Sequence, residues 1–294
     1  MNRRIFPAIV FAMLGALLWP PQAQAQLVHY VDNVETCAGL LPCHTTITDA
    51  LNAAVPFDSI EVFPGVYHES VIFDGTKSNI ILRARLATLR PVIAAPPGTE
   101  AAIMIVPGAP QAPSGVQVLD FFLEGGVQGC CGLDQHDIVI MGNVVKGDIL
   151  LILARTCTVS KNIVIGGKIH LDTVSNCLVE KNIVSGGGIS LFPTRSAAGG
   201  NIIRHNVLRG GGISWGSGGG DAMSFNTVEA NFVSGGFGIG VGSANGGESN
   251  NIFRRNTSVE NTPCDIFDTV NNGPPNINIW KNNRFFIKCG DATD

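Results

Sequence analysis

Residues 157–169 read CTVSKNIVIGGKI and residues 177–189 read CLVEKNIVSGGGI, which places Cys177 over Cys157, Asn182 over Asn162 and Ile189 over Ile169. One structural unit is written twice. Working outward, the same apolar-x-x-Asn-apolar frame returns at Asn143, Asn162, Asn182, Asn206, Asn231, Asn256 and Asn282, at spacings of 19 to 26 residues. A period in the low twenties is the mark of a solenoid, in which each repeat buries its apolar face only against its neighbours.

Three residues before the asparagines stand Ile140, Val159, Val179, Ile203, Val228, Phe253 and Ile279, which form an inward apolar stack. A second strand in each repeat carries Ile149, Ile169 and Leu171, Ile189 and Leu191, Ile213 and Trp215, and Ile239 and Val241, with alternate residues inward. Two to three strands per turn stacked in parallel predict an elongated prism of about ten rungs, ~45 Å long at the usual strand spacing. The asparagine column reads as structural, because asparagine tolerates left-handed turns and stacked amides bond from rung to rung. The Asn-Thr-Ser sequon at Asn256 falls in this column and is expected to be buried.

Toward the N-terminus, Thr46 is placed to cap a short helix whose Ile47, Ala50, Leu51 and Ala54 share one face, and Pro56 stops it. Such a helix would cover the open end of a solenoid. Period-2 pairs follow: Ile60 and Val62, Val71 and Phe73, Ile80 and Leu82, Val116 and Val118, Ile138 and Ile140. The run TTITDALNAAVPFDSIEVFPGVYHESVIF, then NIILRA, PVIAAP, AAIMIV and VQVLDFFLEGG, strongly resembles the first rungs of right-handed parallel β-helix proteins of the pectate-lyase-like superfamily. In that superfamily a capping helix leads into a rung of the form D-x-I-x-V-x-P-G-x-Y-x-E. The resemblance covers roughly residues 30 to 288. It implies an all-β, single-stranded right-handed parallel β-helix with an N-terminal capping helix. The fold is shared by lyases, epimerases, esterases, hydrolases, spike proteins and members without known activity, so it specifies chemistry poorly.

Residues 1–25 carry Arg3 and Arg4, an apolar run from Ile5 to Trp19 and then Ala23-Gln24-Ala25, the pattern of a secretory signal peptide. One domain is expected over 26–294, with a capping region over about 26–56 and rungs over about 58–288. The chain is read as secreted or periplasmic, with no membrane span. Its net charge of −4 makes nucleic acid a poor partner. Thirty-six glycines with 14% charged residues suit turns and strands.

Eight cysteines in an exported chain point to disulfides. Cys37 and Cys43 enclose a short loop and are expected to pair. Cys157 and Cys177 occupy equivalent places on successive rungs, either as a bond or as an inward stack of thiols. Cys264 and Cys289 can clip the last two rungs together, and Cys130 and Cys131 stay unassigned. No cysteine or histidine cluster has zinc-site spacing, so no metal is expected. The calcium-binding acids of the resembled lyases have no counterpart that can be matched here. No cofactor is read from the sequence, and calcium is left open.

Two groups of outward residues are candidate sites. Lys161, Lys181 and Arg204 lie beside the asparagine column and would form a basic edge for an anionic polysaccharide, although solvated surface charge is the plainer reading. On the second strand Lys168, His170 and Asp172 point outward, with Asp148 on the rung before, Ser190 and Ser214 on the rungs after, and Arg195 in a following turn. A lyase or epimerase acting on uronic acids needs a base for the C5 proton and a cation for the charge that develops. His170 would be that base, oriented by Asp172, with Lys168 or Arg195 as the cation and Asp148, Ser190 and Ser214 binding substrate. An ordinary polar face competes with this reading and is the stronger on surface statistics. Beyond His170 the face thins to glycine at 186–188, 210–212, 216, 218–220, 238, 240 and 242, a shallow trough that turn geometry also explains. The function readings are a polysaccharide lyase or epimerase and, as the alternative, a noncatalytic carbohydrate-binding or envelope-associated solenoid.

Overall fold

A computed structural model of the chain describes residues 26–99, 101–108, 111–129, 134–194, 198–216, 223–242, 249–268 and 278–290. The expected signal peptide, Cys130 and Cys131, Arg195 and Gly218 to Gly220 lie outside the described residues. The chain is a right-handed parallel β-helix whose three faces hold 12, 9 and 10 strands among the described residues. One rung runs Thr158–Ser160 on the first face, Ile163–Ile165 on the second and Ile169–Asp172 on the third. Each strand pairs in parallel with its counterpart on the next rung.

The expected inward rows are buried. Ile140, Val159, Val179, Ile203, Val228 and Phe253 line the first face, and Ile149, Ile169, Leu171, Ile189, Leu191, Ile213, Ile239 and Val241 line the third. On the last rung the frame slips by one residue. Trp280, not Ile279, points inward and stacks on Phe253 with ring centroids 3.9 Å apart, while Ile279 is exposed. The asparagine below Asn256 is correspondingly Asn283, not Asn282.

The column itself is a buried amide ladder. Asn162 Nδ2 donates to Ile140 O at 2.9 Å and to Asn182 Oδ1 at 3.0 Å, and Asn162 N donates to the same Oδ1 at 3.0 Å. The pattern repeats from Asn143 to Asn283, so the amides satisfy one another without water. The left-handed residue of each corner is not the asparagine but the one before it: Lys161, Lys181, His205, Ala230, Arg255 and Asn282 have φ between 52° and 57°. Asn256 is only 2% exposed, so a glycan attached there would break the ladder.

A second ladder, absent from the sequence reading, fills the corner between the third and first faces through Asn201, Asn226, Asn251 and Asn278. Cys157 and Cys177 hold this corner on the two preceding rungs and form a disulfide with Cα atoms 4.4 Å apart. Cys177 N then donates to Asn201 Oδ1, which joins disulfide to ladder. Cys37–Cys43 and Cys264–Cys289 are also bonded, with Cα separations of 5.8 and 5.9 Å.

The cap follows the sequence closely. The helix spans Ile47–Ala53, Thr46 Oγ1 accepts from Asp49 N, and Ile47, Ala50, Leu51 and Ala54 are buried. The D-x-I-x-V-x-P-G-x-Y-x-E rung serves this cap residue by residue. Asp58 accepts from the backbone N–H of Leu27 and Val55, each at 2.9 Å, Ile60 and Val62 enter the core, and Tyr67 Oη donates to Phe63 O. Glu69 accepts from Ile47 N and Thr48 N, each at 2.8 Å, at the helix N-terminus, where a carboxylate is favoured.

Asp58 also bonds the buried His29, whose other ring nitrogen meets His44 at 3.1 Å. Burial first, and the His29 ring second, hold His44 below the ordinary histidine value of 6.5. A histidine that resists protonation in the fold costs stability as the pH falls below that value. Amide protection factors, corrected for the intrinsic pH dependence of exchange, are therefore expected to fall in Val28–Val31 and Ile47–Ala53 between neutral pH and about pH 5, more than in the central rungs, and His44→Asn should flatten the difference.

Candidate functional site

On the third face the outward column runs Leu150, His170, Ser190, Ser214, Gly240, Phe267 and Cys289, one residue per rung. Alternation along each strand sets this column, because Ile169 and Leu171 turn inward and leave His170 between them facing out. The column borders a cavity of about 700 Å³. Lys168, His170, Ser190 and Ser214 all line it, as do the glycines at 186–188 and 210–212. Four of the candidate residues and six of the thirteen trough glycines thus line one cavity.

The glycines clear the floor for a stated reason. A Cβ on Gly211 would lie 1.6 Å from Gly187 O, and one on Gly187 would lie 2.2 Å from Gly167 O. The rungs approach too closely at this turn for any side chain. Gly211→Ala is expected to destabilise the fold by about 1–3 kcal/mol, the range for overpacking, read as a lower denaturation midpoint.

The turns leading into the third face lengthen along the solenoid, and this closes one end of the cavity. Gly166 to Lys168 is a short link, whereas 260–265 is a longer loop held by the Cys264–Cys289 disulfide. Phe237, Pro263, Cys264 and Phe267 wall this end. The Phe267 ring leans back over Gly240, where a Cβ would lie 2.2 Å from the ring. The cavity therefore runs from a polar end at Lys168, His170 and Ser190 to an apolar end at Phe237 and Phe267.

His170 is half-buried and held from two sides. Its Nδ1 lies 2.7 Å from Ser190 Oγ, and its ring stacks on Phe192 with centroids 5.8 Å apart and planes inclined by 24°. Burial first and the Lys168 ammonium second keep the imidazole below the ordinary histidine value, against opposite pulls from Asp172 and Asp148. It is consequently neutral at pH 7 and able to accept a proton.

Other candidate residues sit elsewhere. Asp172 keeps the outward register of Ile152 and Phe192 but is covered. It is 8% exposed, because the strand ends there and the next rung folds over it: Thr194 N and Oγ1 and Thr173 Oγ1 all donate to its Oδ1. The orienting partner of His170 is Ser190, not Asp172. Asp148 is exposed and accepts from Lys168 N at 2.9 Å, which anchors the start of that strand.

Lys161, Lys181 and Arg204 lie at the other side of the prism, by the asparagine corner, and do not join this site. Glutamates balance that edge: Glu180 pairs with Arg204 at 2.8 Å, and Glu229 pairs with Arg254 at 2.7 Å and with Arg255. Lys281 falls in register with Arg254, not in the Lys161 and Lys181 column. Among the described residues, no group of three histidine, cysteine or acidic side chains is placed to hold a metal ion.

The aromatic wall was missed in the sequence. Phe237 and Phe267 stand outside the repeated frame, and only the unequal turn lengths, once the strands are placed, bring them to one cavity.

No protein-family model and no curated protein sequence matches the chain. Solved structures do. DFA-IIIase from Arthrobacter chlorophenolicus superposes with a TM-score of 0.51 at 12% identity, over 90% of this chain and 85% of that one. A pectate lyase gives 0.44 at 12% identity, over 91% and 79%, and an alginate lyase from Paenibacillus gives 0.40 at 13%, over 89% and 99%. The likeness is one of fold, the right-handed parallel β-helix. At such identities the likeness extends to the backbone and not to the chemistry.

Proposed function

We propose that this chain is an exported protein that binds a polysaccharide containing uronic acid along the third-face cavity and moves a proton at its polar end, as a lyase or epimerase. The observation that carries this reading is His170: a half-buried, neutral imidazole, held by Ser190 and Phe192 in a cavity that also presents the Lys168 ammonium. The superposed structures include, by their names, a pectate lyase and an alginate lyase, and the polysaccharide substrate is carried over from them as part of this proposal. The three disulfides among the described residues suit an oxidising compartment. No described helix is long and apolar enough to cross a membrane.

With Nδ1–H donating to Ser190 Oγ, the His170 Nε2 lone pair is free to take the C5 proton of a uronosyl residue. The electrons left behind move into the carboxylate, where Lys168 opposes the added negative charge. Expulsion of the O4 substituent, its oxygen taking a proton from water, then gives an unsaturated product, and proton return from water to the opposite face of C5 gives the epimer. The glycine floor lets the sugar chain lie against backbone, and the aromatic end offers apolar faces to neighbouring residues.

A panel of uronic-acid polymers tests the reading. Ultraviolet absorbance from an unsaturated product identifies a lyase, and C5 exchange in deuterated water without absorbance identifies an epimerase. Binding with neither signal would leave the noncatalytic carbohydrate-binding solenoid in its place.

A further inference from the structure

The bond between His170 and Ser190 has a second reading, with the proton on serine. We propose that Ser190 is a nucleophile and that the same cavity hydrolyses carboxylic esters, the natural substrate being an O-acyl group on a glycan with its apolar part toward Phe237 and Phe267. A serine hydroxyl 2.7 Å from an imidazole nitrogen, inside a cavity, is the geometry that activates serine for acyl transfer.

Three further observations support it. The ring stacks on Phe192, which fixes its plane as the third member of a catalytic triad otherwise would. Ser214 stands directly opposite Ser190 on the following rung and presents a hydroxyl to the same cavity. The far end of that cavity is apolar, which suits an acyl chain better than it suits the carboxylates of a bare polyuronide: among the described residues lining it, Lys168 is the one lysine or arginine.

The step balances with water alone as co-reactant. Ser190 Oγ gives its proton to His170 Nδ1 and bonds to the acyl carbon, while the carbonyl π pair moves onto oxygen, where the Ser214 hydroxyl donates to it. Collapse breaks the bond to the glycan oxygen, which leaves with the proton held on Nδ1. Water then loses a proton to Nδ1 and attacks the acyl-serine, and collapse releases the carboxylic acid and returns the proton to Ser190.

The test uses p-nitrophenyl acetate and butyrate together with a fluorophosphonate probe, all on the intact protein. The expected result is one labelled serine, Ser190, identified by peptide mass, with ester turnover that falls by about 10²-fold or more in Ser190→Ala and in His170→Ala. Labelling at another serine, or turnover unchanged in Ser190→Ala, overturns the proposal, as does the absence of both labelling and turnover in the unmutated chain. The labelling result requires no variant to fold. It also separates this proposal from the preceding one, which it extends at the same histidine: unacylated polyuronide reports only proton transfer at C5, and p-nitrophenyl esters report only acyl transfer.

Discussion

His170→Ala is expected to lower turnover on a uronic-acid polymer by about 10²-fold or more, the usual loss for a general base, with a thermal midpoint close to that of the unmutated protein. The side chain is outward and half-buried, between Leu150 and Ser190 on the column, so its removal opens no core cavity. Its loss costs one hydrogen bond to Ser190 and the stack on Phe192, together about 1–2 kcal/mol at a half-exposed site, a shift of a few degrees at most. Rate and stability should therefore separate.

The pH profile supplies a second readout. His170 titrates below 6.5 in the fold, chiefly through burial and then through Lys168, so activity should rise on the acid side through a value below 6.5 and level off by neutrality. Lys168→Met removes the second cause, and its acid limb is expected to move toward higher pH. An acid limb that stays in place would mean that some other group is the base.

Asn182→Ala should lower stability by about 3–5 kcal/mol in denaturant unfolding, from four buried hydrogen bonds lost at once. Asn182 is fully buried in the middle of the column. Its Nδ2 donates to Val159 O and Asn206 Oδ1, and its Oδ1 accepts from Asn162 N and Asn162 Nδ2. Truncation removes four hydrogen bonds at once and leaves Asn162 N without its acceptor, while Asn162 Nδ2 keeps Ile140 O and Asn206 Oδ1 keeps Asn182 N. Lys161→Ala, one corner away and exposed, is the control and should shift stability by no more than about 0.5 kcal/mol. If the two substitutions cost the same, the amide ladder is not what holds the rungs in register.

Much of this molecule was legible from periodicity, because a solenoid repeats its physics at a fixed interval. Val159 over Val179, Asn162 over Asn182, and Ile169 over Ile189 each report one inward position read again on the next rung. Thr46 with its four apolar partners reported the cap by the same logic at a helical period. What failed was where the repeat changes. The doublet Asn282-Asn283 offers two frames, and only the packing of Trp280 on Phe253 selects the second.

Asn201, Asn226 and Asn251 stand five residues before Asn206, Asn231 and Asn256, a regularity that was present in the sequence and would have revealed the second corner. Strand alternation placed Asp172 outward, in register with Phe192, but could not show that Thr194 from the next rung covers it. The polar end of the cavity lies within the regular rungs and was readable. Its apolar end depends on the loop at 260–265 and its disulfide, which no local pattern encodes.

The most direct measurement is a crystal structure with a bound oligouronide. The expected result is a sugar chain over the glycines at 186–188 and 210–212, one carboxylate within reach of Lys168 and the C5 hydrogen of that residue directed at His170 Nε2. An oligosaccharide seated instead along the Lys161 and Lys181 edge, with the third-face cavity empty, would contradict the assignment of the site.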